Sequence, residues 1–331
     1  MDAIQVKDLS KIFSGFTAVD RISFAVPEGE LFGLLGPNGA GKTTTINMLA
    51  TLLKPTSGEA WVGGCSVSCD RDGVLRGIGI VFQEAALDNK LTGRENLQFH
   101  AMMYGIGRVE RRQRIAAVLD LVELNDKADV LVEKYSGGMK RRLEIARGLI
   151  HRPKVLFLDE PTLGLDTQTR RHIWDYIKKL NRESGVTVIL TTHYMEEADF
   201  LCQRVEIMDK GKFAAIDSPS RLKDNLGGDV VSLEIGAGGE GLPAQLQALP
   251  WIKSMKRHED VLSMSMEHGE RRIPELIQLA HGSGATVNCV NLHKPSLEDV
   301  FLNFTGRTIR EQEAETNGRG NARHPGPHGR R

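Results

Sequence analysis

The chain has 331 residues, which at ~100–200 residues per domain predicts about two domains. Its 43 basic and 43 acidic side chains cancel to a formal net charge of zero, which removes any whole-chain electrostatic case for binding nucleic acid. A 40% hydrophobic content is enough for a real core, yet no apolar run reaches the ~18–20 residues a membrane span needs, and Met1-Asp2-Ala3-Ile4-Gln5 does not read as a secretory signal. Four cysteines do not make a disulfide framework in a chain this long, and Cys65 and Cys69 lack a second pair at zinc spacing. Free thiols in a reducing cytoplasm are expected.

In chain order, ELFGLLG (30–36) is a strand ending in a glycine loop, and TTTINMLATLL (43–53) follows with helical spacing. Residues 88–150 are helical in character, with Thr92, Gly93, Arg94 and Glu95 as a capping box. This predicts a helical subdomain inserted into an α/β core. KVLFLDEP (154–161) is a continuous apolar strand of the kind buried on both faces. TQTRRHIWDYIKKLNRESG (167–185) is a helix closed by Gly185, and VTVILTTH (186–193) is a second buried strand. Strand–helix–strand predicts a parallel pair with a right-handed crossover.

The first domain is expected over 1–225 and a second over 226–306. VVSLEI, PAQLQAL, two strands within IKSMKRHEDVLSMSM, the helix RRIPELIQLAHGSG stopping near Gly282, and TVNCVNL give the order β-α-β-β-α-β. That order suits a small ferredoxin-like α+β domain. PSLEDVFLNFTG (295–306) adds a last helix. The tail, 307–331, is polar and rich in Gly, Arg and His, so it is expected to be disordered.

The loop GPNGAGKTT matches G-x-x-x-x-G-K-[ST] at Gly36, Gly41, Lys42 and Thr43. Its members are Gly36, Pro37, Asn38, Gly39, Ala40, Gly41, Lys42, Thr43 and Thr44. Glycines let backbone N–H groups curl round an anion, and the following helix adds its positive end. Lys42 supplies a cation for the β- and γ-phosphates, and the Thr43 hydroxyl is placed to ligate Mg²⁺. At the end of a buried strand, Asp159 is read as a metal ligand and Glu160 as the group that polarises the attacking water. Pro161 biases Glu160 to an extended backbone. A second anion site is read at Ser136, Gly137 and Gly138, where a good N-cap and two glycines open a helix. The apolar side of that helix is Met139, Leu143, Ala146, Leu149 and Ile150. The basic run RVERRQR (108–114) is read as a solvated helix face, not a nucleic-acid patch.

YSGGMKRRLEIARGLIHRP (135–153), taken with the phosphate loop, VLFLDEPT and TTH, resembles the ATP-binding-cassette ATPases in motif order and spacing over roughly 1–225. TTHYMEEAD and PSLEDVFLNFTGR resemble the daunorubicin-resistance branch of bacterial exporters. The resemblance implies a P-loop NTPase core that binds and hydrolyses ATP with Mg²⁺. It implies that the Ser136 site of one subunit meets the ATP of a second, as in a homodimer. It also implies integral-membrane permease subunits and a place on the cytoplasmic face of a bacterial membrane. By motif position it makes Phe13 the adenine-stacking aromatic, with Phe16 a rival. It makes Gln83 a metal-reaching sensor, Asp166 a contact to the opposite subunit and His193 the switch near the γ-phosphate. Tyr135 and Met139 depart from the commoner leucine and glutamine. A cassette ATPase acting on DNA or ribosomes fits less well: Lys42 and Ser136 stand 94 positions apart, too close for an inserted coiled coil, and there is one phosphate loop. Against a non-hydrolytic interaction module stand Glu160 and His193. The transported cargo is not encoded here.

Overall fold

The computed structural model describes residues 1–83, 86–236, 238 and 241–306; the tail 307–331 lies outside the described residues. The first part opens with β1 (Asp2–Phe13) and β2 (Phe16–Pro27), an antiparallel hairpin. Ile4, Val6 and, past a bulge, Leu9 face the core, while Gln5 and Lys7 face out, as in a sheet covered on one side. β3 (Leu31–Leu35) is buried throughout, and α1 (Lys42–Leu49) follows it. β4 (Ser57–Val62) and β5 (Cys65–Ser66) extend the hairpin into a sheet of order β2-β1-β4-β5. The helix predicted over 43–53 stops at Leu49, because Thr51 takes φ 61° and the Leu52 and Leu53 N–H groups turn back to the Asn47 carbonyl.

α2 (Arg71–Gly77) leads into β6 (Ile78–Val81). Then come α3 (Gly93–Met103), α4 (Arg108–Leu121) and α5 (Gly137–Leu149), the helical stretch expected between strands. The capping box is formed: Thr92 accepts from the Glu95 N–H, and Glu95 accepts from the Thr92 N–H at 2.8 Å. The basic run lies on α4, where Arg114 pairs with Glu110 at 2.6 Å and donates to the Ile150 carbonyl. The predicted apolar side of α5 is buried at Leu143, Ala146 and Leu149, with Ile150 at its C-cap, but charged residues are buried beside it. Arg141 and Glu144 are buried there, as an ion pair 3.0 Å apart.

β7 (Val155–Asp159), α6 (Thr167–Ser184), β8 (Thr187–Thr192), α7 (Met195–Leu201), β9 (Arg204–Asp209) and β10 (Lys212–Asp217) follow. The six-stranded sheet has the order β10-β9-β3-β8-β7-β6, and its pairs from β9 to β6 are parallel. β7 and β8 are the predicted parallel neighbours, buried at every residue. Parallel pairing puts the carboxyl ends of β3, β6, β7 and β8 on one edge, the place where such sheets bind ligands.

Within this sheet, β9 carries a buried acid. Glu206 is 1% exposed, lies beside Leu34 of β3, and its Oε2 has no hydrogen-bond partner among the described residues. Burial pushes its pKa from 4.5 up to about 9, against the pull of Arg204. Folding therefore holds a proton that the unfolded chain releases, so this carboxyl costs stability increasingly as pH rises from 4.5 towards 9. Glu206→Gln is expected to stabilise the protein by about 3 kcal/mol at pH 7 and by little at pH 4.5. Urea unfolding of both proteins at the two pH values measures the difference.

Beyond β10 run α8 (Pro219–Asp224), β11 (Asp229–Ile235), α9 (Leu242–Gln247), β12 (Ile252–His258), β13 (Val261–Met266), α10 (Gly269–Gly282), β14 (Val287–His293) and α11 (Leu297–Thr305). β11 to β14 form an antiparallel sheet of order β12-β13-β11-β14, and the predicted β-α-β-β-α-β sequence is present. Leu233, Leu262 and Met264 form a core with Leu246 of α9 and Leu276 of α10. The chain divides into compact units Met1–Phe213 and Ala214–Arg331, earlier than the expected boundary near 225. α8 packs against α11 within the second unit.

Candidate nucleotide site

The loop leaves β3 at Gly36, whose N–H donates to the Thr192 carbonyl of β8 at 3.2 Å. A Cβ on Gly36 would stand 2.2 Å from the Met208 carbonyl oxygen, so no side chain fits. Gly41 caps α1 at φ 109°, a conformation closed to residues with a Cβ, and caps it with no side-chain acceptor. The first N–H groups of α1 therefore point out of a pure backbone concavity, which is what an anion needs. Lys42 is buried, and its Nζ donates to the Gly36 carbonyl at 2.7 Å and the Pro37 carbonyl at 3.0 Å.

Two further strands, β7 and β8, deliver groups to the same edge. From β7, Asp159 Oδ1 accepts the Thr43 hydroxyl at 3.1 Å and the Thr191 hydroxyl of β8. Two hard oxygens, Thr43 Oγ1 and Asp159 Oδ1, thus face one another. Glu160 Oε1 lies 3.6 Å from Lys42 Nζ, and Glu160 Oε2 lies 3.2 Å from His193 Nδ1. Desolvation raises the Glu160 pKa, but His193 and Lys42 together outweigh it and leave the carboxyl below its usual value. It is therefore ionised at neutral pH. His193 also lies against Tyr194, whose ring carries the Arg170 guanidinium 4.0 Å from its centroid.

The extended backbone expected of Glu160 is not found. Glu160 has φ 47°, in the left-handed region. Its N–H donates to the Thr191 carbonyl and to Thr191 Oγ1, and its carbonyl accepts from Leu163 N–H and Arg141. These fixed partners override the local preference that Pro161 imposes.

A second group gathers at the start of α5. Ser136 is the N-cap, accepting from the Met139 N–H at 3.3 Å, and Ser136 and Gly137 are exposed. Gly138 packs so closely on α6 that a Cβ would stand 2.5 Å from Thr169 Cγ2. Asp166 caps α6 through Thr169, whose hydroxyl and N–H hold its carboxyl below the usual range. The Ser136-Gly137-Gly138 tip of α5 and the Asp166 loop are therefore one surface. Tyr135 is buried and donates to the Lys127 carbonyl at 2.6 Å, so its departure from leucine serves the helical subdomain. Phe13 is exposed at the end of β1 opposite Phe16, with Lys11 Nζ 5.0 Å from its ring centroid. Gln83 is exposed just beyond β6.

Sequence reasoning missed Thr191 and Arg141. Thr191 had a signal, since it stands two positions before His193 in the quoted TTH. Arg141 had none, since nothing in its local pattern separates it from the half-buried Arg142 beside it.

The ABC transporter family profile matches residues 19–163, and the profile described as "ATP-binding protein DrrA1-3-like, C-terminal domain" matches 218–305. The linearmycin resistance ATP-binding protein LnrL of Bacillus subtilis is 41% identical over 93% of this chain and its own full length. The chain belongs to the ABC transporter ATP-binding proteins. Other family members are the daunorubicin/doxorubicin resistance ATP-binding protein DrrA of Streptomyces peucetius, 38% identical over 95% of each chain, and the Nod factor export ATP-binding protein I of Cupriavidus metallidurans, 36% identical over 93% of this chain and 99% of its own. Among solved structures, cbiO1 of Clostridium perfringens, part of the complex cbiONQ, aligns with TM-score 0.64 and 27% identity over 75% of this chain and 96% of its own. The cassette MJ0796, in a dimeric post-hydrolysis state with ADP and Pi, aligns with TM-score 0.57 and 31% identity over 65% of this chain and 98% of its own. The expected α/β P-loop fold and the ATPase assignment both stand. ATP-binding proteins of this family work as dimeric cassettes beside membrane partners, and no helix of the described residues is long and apolar enough to cross a membrane.

Proposed function

We propose that this chain hydrolyses MgATP between two copies of itself to drive export of an amphiphile through a separate permease, at the cytoplasmic face of a bacterial membrane. The observation that carries the reading is the meeting of Lys42, Thr43, Asp159, Glu160 and His193 on one edge of a parallel sheet. Full-length likeness to resistance and export ATP-binding proteins supports the direction of transport.

The phosphates of ATP lie in the loop from Gly36 to Thr44, against backbone N–H groups. Lys42 exchanges its carbonyl partners for phosphate oxygens. Thr43 and Asp159 would hold Mg²⁺, because both offer hard oxygens at close quarters, and the ion would supply positive charge against the phosphates. Gln83 completes that contact from the end of β6. Glu160 orients and deprotonates the attacking water, and His193 holds Glu160 and the γ-phosphate in register. Phe13 offers a face to adenine. Ser136, Gly137 and Gly138 close over the ATP of the other subunit, with Asp166 beside them. ATP does work only through its higher affinity for the closed pair.

The permease docks between Gln83 and Tyr104. A cavity of about 430 Å³ opens there, lined by Phe82, Leu91, Phe99, Met103, Tyr104 and His151. Phe99 is 62% and Met103 70% exposed, a pair of large apolar side chains left to solvent. Tyr104 stacks on His151 at 4.0 Å, and burial pushes His100 down to about 4, so His100 is neutral at pH 7 while Arg147 and Asp88 bring charge to the same cavity. Phe99→Glu is expected to weaken retention of the chain by its membrane partner about tenfold or more and to abolish transport, while basal ATPase stays within about twofold. Co-purification from membranes and an ATPase assay on the isolated chain measure both. Transport that persists in this variant would show that docking lies elsewhere.

A further inference from the structure

Helix α5 carries a buried guanidinium with no assigned part in the site above. Arg141 has five N–H donors, and five acceptors take them. Nε donates to the Pro161 carbonyl at 2.7 Å. Nη1 donates to the Phe82 carbonyl at 2.6 Å and to Glu144 Oε2 at 3.0 Å. Nη2 donates to the carbonyls of Asp159 at 3.1 Å and Glu160 at 3.2 Å. Three consecutive carbonyls at the end of β7 and the residue before Gln83 are thus tied to one side chain.

Glu144 extends the tie. Its Oε1 accepts the Ala86 N–H at 2.8 Å, and Arg147 donates to the Ala86 carbonyl. The Arg141–Glu144 pair therefore grips the chain on both sides of Gln83, at Phe82 and at Ala86. α5 itself is seated rigidly, since a Cβ on Gly79 of β6 would stand 2.2 Å from the Gly148 carbonyl. The left-handed Glu160 backbone is held at its N–H by Thr191 and at its carbonyl by the Leu163 N–H and Arg141, and Arg141 is the side chain that ties this turn to α5.

We infer that Arg141, paired with Glu144, is a positioning residue that fixes the Glu160 carboxylate for hydrolysis and links its placement to the Gln83 segment. The inference rests on the proposed role of Glu160 as base. Arg141 is buried, and its five N–H groups are all taken by protein acceptors. It acts through three backbone carbonyls, which a planar five-donor fork can span and a lysine cannot.

Arg141→Lys and Arg141→Met, made in the full chain, test this by steady-state ATPase, equilibrium ATP binding and thermal unfolding. Arg141→Met is expected to lose about a hundredfold in kcat, with ATP affinity held within about threefold, because a shift of about 1 Å in Glu160 costs that much. Arg141→Lys should fall between it and the parent. A merely structural role would instead lower ATP affinity and melting temperature together with kcat. Should Arg141→Met leave Glu144 buried and unpaired and fail to fold, Arg141→Met/Glu144→Leu replaces the pair by apolar side chains and should show the same kcat loss. Variants that bind ATP and keep kcat within about threefold overturn the inference. Glu160→Gln in the same assay separates the two readings. If that variant is inactive while the Arg141 variants turn over normally, only the positioning role falls. If Glu160→Gln itself turns over normally, the base assignment falls and this inference with it.

Discussion

Glu160→Gln is expected to lower kcat for ATP by about 10²–10⁴-fold while ATP binding survives. Glutamine keeps the shape of the side chain and its reach towards His193, but it cannot take a proton from water. The phosphate loop, Lys42, Thr43 and Asp159 are untouched, so the groups that hold the nucleotide remain. Binding should even tighten, because the carboxylate 3.6 Å from Lys42 competes with the γ-phosphate for that cation. With hydrolysis stopped, the closed pair of subunits has no exit, and ATP-loaded dimers should accumulate on gel filtration. Magnesium-dependent turnover at the parental rate would remove Glu160 from its role. Because the carboxyl is held below its usual pKa, the parent should keep its base ionised to a lower pH than an ordinary glutamate would.

Ser136→Arg and Lys42→Ala should each be inactive alone and recover together. The arginine blocks the exposed N-cap of α5, where the second subunit's nucleotide is proposed to rest, and leaves that subunit's own loop intact. The alanine empties the loop of its cation and leaves the α5 tip intact. In an equal mixture half the dimers are mixed, and each mixed dimer joins one sound loop to one sound tip. Recovery of up to about a quarter of parental turnover is expected, as two-fold symmetric sites shared across an interface require. An ATPase titration at constant total protein measures it. No recovery at any ratio would mean that each chain completes its own site.

The phosphate loop was legible because its chemistry is local. Gly36, Gly41, Lys42 and Thr43 are set by spacing alone, and the structure adds only which carbonyls crowd the glycines. The parallel pairing of β7 and β8 was legible for the same reason, since an apolar run, a helix and an apolar run leave few alternatives. The β-α-β-β-α-β order of the second unit followed from alternation and turns. The N-terminal hairpin drew no strand assignment, because the bulges at Val6 to Ile12 break the alternation that marks a half-buried strand. On α5 the expected apolar face hid Arg141 and Glu144. A buried pair reads like a solvated one until its partners are known.

By itself, then, the amino-acid order determined what each segment could be: a strand feeding an anion loop, a capped helix at Ser136, an acid pair ending a buried strand. These follow from backbone freedom, hydrophobic period and capping, which act over a few residues. Only the tertiary structure decided the left-handed turn at Glu160, the buried clamp of Arg141 and the buried acid at Glu206. Each depends on groups brought close from distant parts of the chain, where loss of water sets the strength of every polar contact.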